Sequence, residues 1–322
     1  VVLKRMPEIP SITLQNGVKM PMVGLGTWQS RGNDVRGAIE IALRDDGYPL
    51  IDTAAVYDNE DVIGEVLEKL FSEGKLKRED VFITTKLWTT HLNPARAEAG
   101  IKESLRKLKL DKVDLLLAHM CTAFDETMTN MEKDVTVVDI WRGLEAVYDK
   151  GYARAIGVSN WNAEQIERVM KVAKTPIHNL QVELYIYLPQ FELQEVCKKH
   201  GISVTSYASL GSPGRVNFQL PSGQKLNWAP APPALEDDEV KRLSLKYGKT
   251  PAQILLRWCI DRGIAVIPKS VNAPRIKENI QLFDFKLEDS DIKALNSVKH
   301  HQRLLLQDFM IGHPEDAFKD ER

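Results

Sequence analysis

The sequence predicts an α/β fold, a closed (β/α)8 barrel, and three observations carry that prediction. Short apolar runs alternate with amphipathic segments about eight times along the chain. The order is strand then helix throughout, which favours right-handed crossovers and a parallel sheet. The 322 residues exceed the ~250 of a minimal barrel, and the excess falls in a leading hairpin, long loops and a tail. An open doubly wound sheet is the alternative, but its glycine fingerprint is missing: Gly24-Leu25-Gly26-Thr27 matches GxGxxG only in part. The chain is read as one domain over residues 1–322.

Residues 12–14 and 18–20 flank Gln15-Asn16-Gly17. Asn-Gly is a strong turn signal, so a hairpin is expected over 11–20. Residues 22–26 are the first strand, and 34–44 place Val35, Ala38, Ile39 and Ala42 on one helical face. A strand over 50–54 precedes a helix over 60–71, which Gly74 stops. Residues 81–85 read as a β-branched strand. Asn93-Pro94 opens a helix as cap and first helical residue, with Ile101, Leu105 and Leu108 inward. Val113–Ala118 reads as an apolar run suited to a strand covered on both faces.

A helix over 137–148 ends at Gly151, and a strand spans 153–158. Asn162 and Gln165 form a capping box for a helix through Val172. Strands Asn179–Glu183 and Ser203–Tyr207 enclose a helix near 192–199 that ends at Gly201. Thr250-Pro251 caps a helix through Cys259, and 264–267 is the last strand before further helix. Residues 208–235 hold five of the 16 prolines and three glycines, too many for regular structure. A long loop inside a barrel is usually functional, so it reads as a lid. Residues 120–134 form a second active-site loop, and the tail 299–322 is a third cover.

The formal charge is -2, from 43 basic and 45 acidic residues, so composition offers no electrostatic case for nucleic acid or an anionic membrane. The apolar fraction of 43% excludes a disordered chain. No run approaches the ~18–20 apolar residues of a membrane span. The first ten residues carry Lys4 and Arg5 but no apolar stretch of signal-peptide type. Cys121, Cys197 and Cys259 are far apart and form no CxxC, which argues against a disulfide framework or zinc cluster and for a reducing compartment. A cytoplasmic monomer with no obligate protein partner and no metal is expected.

In such a barrel the chemistry sits at the C-terminal ends of the strands. Those ends present Asp52 and Tyr57 after the second strand, Lys86 after the third and His119 after the fourth. Singly, each also fits an ordinary structural place. Together they form a proton-transfer set: an ammonium lowers a nearby phenol's pKa from its reference of ~10, a carboxylate keeps that ammonium charged and in place, and a neutral imidazole orients a carbonyl.

The sequence resembles the aldo-keto reductase superfamily. The residues that carry the resemblance are Ile51-Asp52-Thr53-Ala54-Ala55-Val56-Tyr57-Asp58-Asn59-Glu60 with Gly64, Thr84-Thr85-Lys86-Leu87-Trp88, Leu115-Leu116-Leu117-Ala118-His119, Ile156-Gly157-Val158-Ser159-Asn160, and Ile267-Pro268-Lys269-Ser270 with Arg275, Glu278 and Asn279. The match runs in order from about Leu14 to Phe285. It implies the same barrel and an NADPH-dependent reductase of small-molecule aldehydes and ketones. Tyr57 would be the general acid, Lys86 paired with Asp52 would lower its pKa, and His119 would orient the carbonyl. The hydride would come from the cofactor.

The resemblance also implies the contacts to NADPH/NADP+. Ser159, Asn160 and Gln181 would hold the carboxamide, and Tyr207 would stack on the nicotinamide. Lys269, Ser270, Asn272 and Arg275 would surround the 2′-phosphate, favouring NADPH over NADH. Glu278 and Asn279 would face adenine. Gly26, Thr27, Trp28, Asp52, Leu210, Pro268 and Val271 complete the cofactor set. Trp28, Val56, Tyr57, Trp88, His119, Met120 and Phe124 would line the substrate pocket. The loop 208–235 would close over the pyrophosphate and limit cofactor release.

Several residues depart from the family pattern. Met120-Cys121 follows His119 where many members have an aromatic and a proline, so a flexible thioether replaces an aromatic wall and the pocket is expected to be wide. Leu184-Tyr185-Ile186-Tyr187 replaces the usual histidine-proline segment, and Pro49 stands where Arg is usual. Cys121 beside His119 raises a nucleophile reading, but pocket lining, with oxidative sensitivity, is preferred. The competing function on this scaffold is a non-catalytic NADPH-binding interaction or structural protein, because fold does not imply function.

Overall fold

A computed structural model describes residues 8–220 and 222–322. Most of the N-terminal segment read for a signal peptide, including Lys4 and Arg5, and Pro221 of the long loop lie outside the described residues. The chain begins with a hairpin of β1 (Ser11–Thr13) and β2 (Lys19–Pro21), paired antiparallel with Ser11 opposite Pro21. Gly17 takes a φ of +86° at its turn, which explains the Asn-Gly signal.

Eight parallel strands follow, β3 (Leu25–Gly26), β4 (Leu50–Asp52), β5 (Phe82–Leu87), β6 (Val113–Ala118), β7 (Ala153–Ser159), β8 (Asn179–Glu183), β9 (Ser203–Tyr207) and β10 (Ala265–Val266), each paired with its neighbour in sequence. The ends of this sheet meet. Gly24 N donates to Val266 O (2.9 Å), Val266 N to Met22 O (2.9 Å) and Gly26 N to Pro268 O (3.1 Å), which closes the (β/α)8 barrel. Outside it run α1 (Gly32–Glu40), α2 (Glu60–Ser72), α3 (Pro94–Leu108), α4 (Val137–Asp149), α5 (Ala163–Met170), α6 (Phe191–Lys199), α7 (Asp238–Tyr247), α8 (Pro251–Asp261), α9 (Ala273–Ile280) and α10 (Asp289–Asn296).

Local signals explain these boundaries. Asn93 caps α3 by accepting from Ala95 N (3.0 Å) with Pro94 in the first turn. The capping box at Asn162 and Gln165 forms at α5, and Thr250 with Gln253 forms another at α8. Three sequence expectations need correction. The first strand is two residues long rather than five. The helix expected over 34–44 starts at Gly32, and its last turn widens so that Asp46 N bonds Ile41 O (3.0 Å). Helix α7 was hidden because its apolar face is sparse, with only Val240 and Leu243 buried.

Two cores hold the fold. The larger lies between strands and helices. The smaller fills the barrel with Leu50, Phe82, Leu115, Leu117, Ala155 and Ala265, and hairpin residues Leu14 and Met20 cap it at the N-terminal end. The hairpin is thus a plug for the floor of the barrel, and the opposite mouth is left for chemistry.

Strand spacing leaves no room at Gly157, where an added Cβ would lie 2.2 Å from Asn179 O of the paired strand. Gly157→Ala should therefore lower unfolding stability by about 1–3 kcal/mol. An unchanged urea midpoint would show that the strands yield at no cost.

Candidate active site

The C-terminal ends of β4, β5 and β6 bring the four predicted residues together. Lys86 lies inside β5 rather than after it, with its side chain 1% exposed. Its Nζ donates to Asp52 Oδ1 (2.5 Å), Thr53 O (2.9 Å) and Tyr57 OH (3.2 Å). Three partners satisfy all three ammonium protons. Asp52 ends β4, is 3% exposed at the side chain, and accepts from Gln181 Nε2 (2.8 Å) at its other oxygen. Removing one partner of such a buried pair typically costs about 3–5 kcal/mol.

Burial pushes Lys86 down, but the Asp52 carboxylate and the Tyr57 hydroxyl outweigh it and hold the ammonium above its usual value. Tyr57 behaves differently. Burial pushes its hydroxyl up, and the Lys86 charge opposes that shift without cancelling it. The sequence predicts a net lowering; the structure reverses the direction because desolvation of a buried phenolate exceeds the attraction of one ammonium. Tyr57 therefore stays protonated at neutral pH.

His119 ends the β6 turn and is held by His119 N on Leu87 O (3.0 Å). Its ring meets Trp88 edge-on at 5.2 Å and Tyr57 at 5.6 Å. Burial, then the Lys86 charge, pushes it well below the usual imidazole range, so it is neutral. Its Nδ1 has no hydrogen-bond partner among the described residues.

Other predicted contacts fall around this cluster. Asn160, with a left-handed φ of 61°, donates from Nδ2 to His119 O (2.9 Å) and Ser159 Oγ (3.2 Å) and accepts from Tyr207 OH (2.5 Å). The amides of Asn160 and Gln181 are thus engaged with protein groups. Thr27 spends its hydroxyl on Asp52 O (2.9 Å). Gly26 is required by packing, since a Cβ there would lie 2.6 Å from Ile267 O. Leu210 is half-buried just past β9, and Pro268 is buried just past β10.

Beyond β10, Asn272 caps α9 by accepting from Arg275 N (3.1 Å), and Asn272 N donates to Ser270 Oγ (3.0 Å). Lys269 and Arg275 form no ion pair among the described residues, and burial pushes Lys269 down. Two unspent cations at a helix N-terminus suit a phosphate. Val271 is exposed there, and Asn279 is buried. Glu278 is engaged instead with Thr250 Oγ1 (2.7 Å).

The residues expected to line the substrate pocket contact the long loop and the tail. Trp28 packs on Phe218 of the long loop at 5.6 Å, and Val56 is exposed beside the mouth. Trp88 and Phe124 pack against tail residue Phe309 at 5.5 and 5.9 Å. Met120 is buried, and its carbonyl accepts from Trp161 Nε1 (3.1 Å). The tail thus supplies an aromatic, Phe309, to the cluster of Trp88 and Phe124. Cys121 is fully buried, donates to Glu315 O (2.9 Å), and has its thiol pushed up by burial to about 12. Burial beneath the tail removes both the pocket-lining and the reactive reading.

Sequence patterns missed Phe218 and Phe309, which lie in segments without periodicity. They also missed Asn59, which is fully buried and donates to Thr27 O (3.0 Å) and Ser30 O (2.9 Å) while accepting from Thr53 Oγ1 (2.6 Å). It ties the loops after β3 and β4. Its place inside the run 51–60 was the available signal.

The His119 shift makes a prediction. A folded pKa below the unfolded ~6.5 means that the folded state binds fewer protons than the unfolded state between the two values, so its share of stability is present above ~6.5 and lost as pH falls toward the folded pKa. At pH 6 its imidazole should remain neutral by NMR; protonation at pH 6 would contradict the burial argument.

The aldo/keto reductase family model matches residues 22–300. Aldo-keto reductase family 1 member A1-A of Danio rerio is 42% identical over 307 residues, covering 92% of this chain and 91% of that protein. Aldo-keto reductase family 1 member A1 of Gallus gallus is 38% identical over 328 residues, covering 96% and 97%. The solved aldose reductase of Schistosoma japonicum superposes with a TM-score of 0.86 at 33% identity, covering 98% of this chain and all of that one. This chain belongs to the aldo/keto reductase family, oxidoreductases acting on carbonyl and alcohol groups.

Proposed function

We propose that this protein reduces aldehydes and ketones with NADPH, with Tyr57 as general acid. One observation carries the reading: Lys86 Nζ bridges Asp52 Oδ1 and Tyr57 OH inside the barrel mouth. A bound reduced nicotinamide would supply the hydride. A carbonyl oxygen gains negative charge as it is reduced, and Tyr57 is protonated and placed to give it a proton. As that proton leaves, charge develops on the phenol oxygen, 3.2 Å from Lys86. The ammonium is already fixed by Asp52, so stabilisation grows toward the transition state with no reorganisation. Neutral His119 directs the carbonyl by hydrogen bonding, and the Trp28, Trp88 and Phe309 walls exclude water.

Preference for NADPH rests on Lys269 and Arg275, whose charges remain available at the α9 N-terminus. Residues Ser159, Gln181 and Tyr207 sit at neighbouring strand ends, where a nicotinamide would meet Tyr57. Gln181 keeps its amide nitrogen on Asp52, so its oxygen is the atom left for a ligand.

Tyr57→Phe should lower kcat by roughly 100- to 10,000-fold while the NADPH dissociation constant, read by fluorescence quenching, stays near wild type. Near-normal turnover would overturn the Tyr57 role. NADPH binding with no turnover of any carbonyl by wild type would favour a non-catalytic role. Arg275→Ala should weaken NADPH by about tenfold or more, the scale of a charge-assisted contact, and leave NADH nearly unchanged. Equal loss for both cofactors would contradict the phosphate role.

A further inference from the structure

The segment from Glu183 to Tyr187 touches none of the proposed reacting groups, yet it carries a fully buried carboxylate and two buried tyrosines. Glu183 ends β8. Its two oxygens accept from consecutive tail amides, Leu304 N (2.6 Å) and Leu305 N (2.9 Å). Tyr185 OH donates to Gln302 O (2.9 Å), and Gln302 N donates to Tyr187 O (2.8 Å). Four hydrogen bonds thus lay residues 302–305 along 183–187. Gln302 reaches further, donating from Nε2 to Pro230 O (3.0 Å) of the long loop.

We propose that Glu183 and Tyr185 are positioning residues that dock the C-terminal tail and so set Phe309 as the substrate wall, with Gln302 joining the dock to the long loop. The physical reason is the pair of charge-assisted hydrogen bonds that the docked tail gives to the Glu183 carboxylate. Glu183 has no exposure, and its oxygens are satisfied by amides that only the docked tail presents. Lifting the tail breaks both of these charge-assisted bonds together with the Gln302 bonds to Tyr185 and Tyr187, so the tail has one favoured place. Arg303, the next tail residue, faces Glu183, pairs with Glu321 (2.6 Å) and lies over Phe318 at 4.0 Å, which holds the far side. Four residues past the dock, Phe309 meets Trp88 and Phe124. Glu183 also stands opposite Tyr207 in the strand register, so the dock and the proposed nicotinamide face share one strand pair.

The kinetic part rests on the reductase reading; the docking part does not. The test measures hydrogen exchange of residues 302–306 together with NADPH-dependent reduction of a bulky aromatic aldehyde and a small aliphatic one. The variants are Glu183→Gln, Tyr185→Phe, which removes one hydrogen bond and no charge, and Phe309→Ala as the reference for a lost wall. Exchange in Glu183→Gln should be about tenfold faster or more, as expected for losing a hydrogen bond to a charged group. KM for the aromatic aldehyde should rise by about as much, in the same direction as in Phe309→Ala, with kcat and the KM of the small aldehyde within about twofold in Glu183→Gln. Tyr185→Phe should shift both in the same direction by less. Unchanged exchange in both variants would overturn the dock. Faster exchange with an unchanged aromatic-to-small ratio would overturn its link to Phe309. A wild type that reduces no aldehyde would sink the reductase reading and leave exchange to decide the dock.

Discussion

The structure of the barrel mouth depends on the ion pair between Lys86 and Asp52. Both side chains are almost wholly out of water, and neither could be there without the other. Their separation of 2.5 Å is enforced by two parallel strands that are neighbours in the sheet. A parallel barrel suits this arrangement, because every strand ends at the same mouth and side chains from strands distant in sequence converge there. Gln181 on Asp52 draws in β8, and Asn160 on His119 O joins β7 to β6. Hydrogen bonds at the mouth therefore join strands across the barrel as well as neighbouring ones.

The pair also decides what Tyr57 can do. In this site burial dominates the phenol, and the ammonium offsets part of that effect. A phenol that stays protonated at rest but is stabilised once it gives up its proton is a better acid catalyst than one already ionised. Such a pair is weak evidence for stability in general. In the proposed reaction its value is that it supplies a fixed charge where charge would develop.

Much of this was legible in sequence because it depends on local chemistry. The strand-helix alternation, the capping residues Asn93, Asn162 and Thr250, and the strand-end residues Asp52, Lys86 and His119 all carry signals within a few positions. What was not legible depends on contacts between distant segments. Phe309 and Phe218 reach Trp88 and Trp28 from a tail and a loop that no periodicity describes. The burial of Cys121 follows from the tail lying over it. The direction of the Tyr57 shift needs the amount of burial, which residue identity does not convey. The departure at Leu184-Tyr185-Ile186-Tyr187 is visible in sequence, but its meaning depends on residue 302, more than a hundred positions away, lying against it.

The central claim is that Lys86 acts on the reaction through Tyr57. A double-mutant cycle on kcat/KM for carbonyl reduction tests it most directly, comparing Lys86→Met, Tyr57→Phe and the combined variant. If the two form one unit, the combined variant should be no slower than Tyr57→Phe alone, as for other groups that function together. Losses that multiply would contradict the account, because Lys86 would then be contributing independently of the Tyr57 hydroxyl.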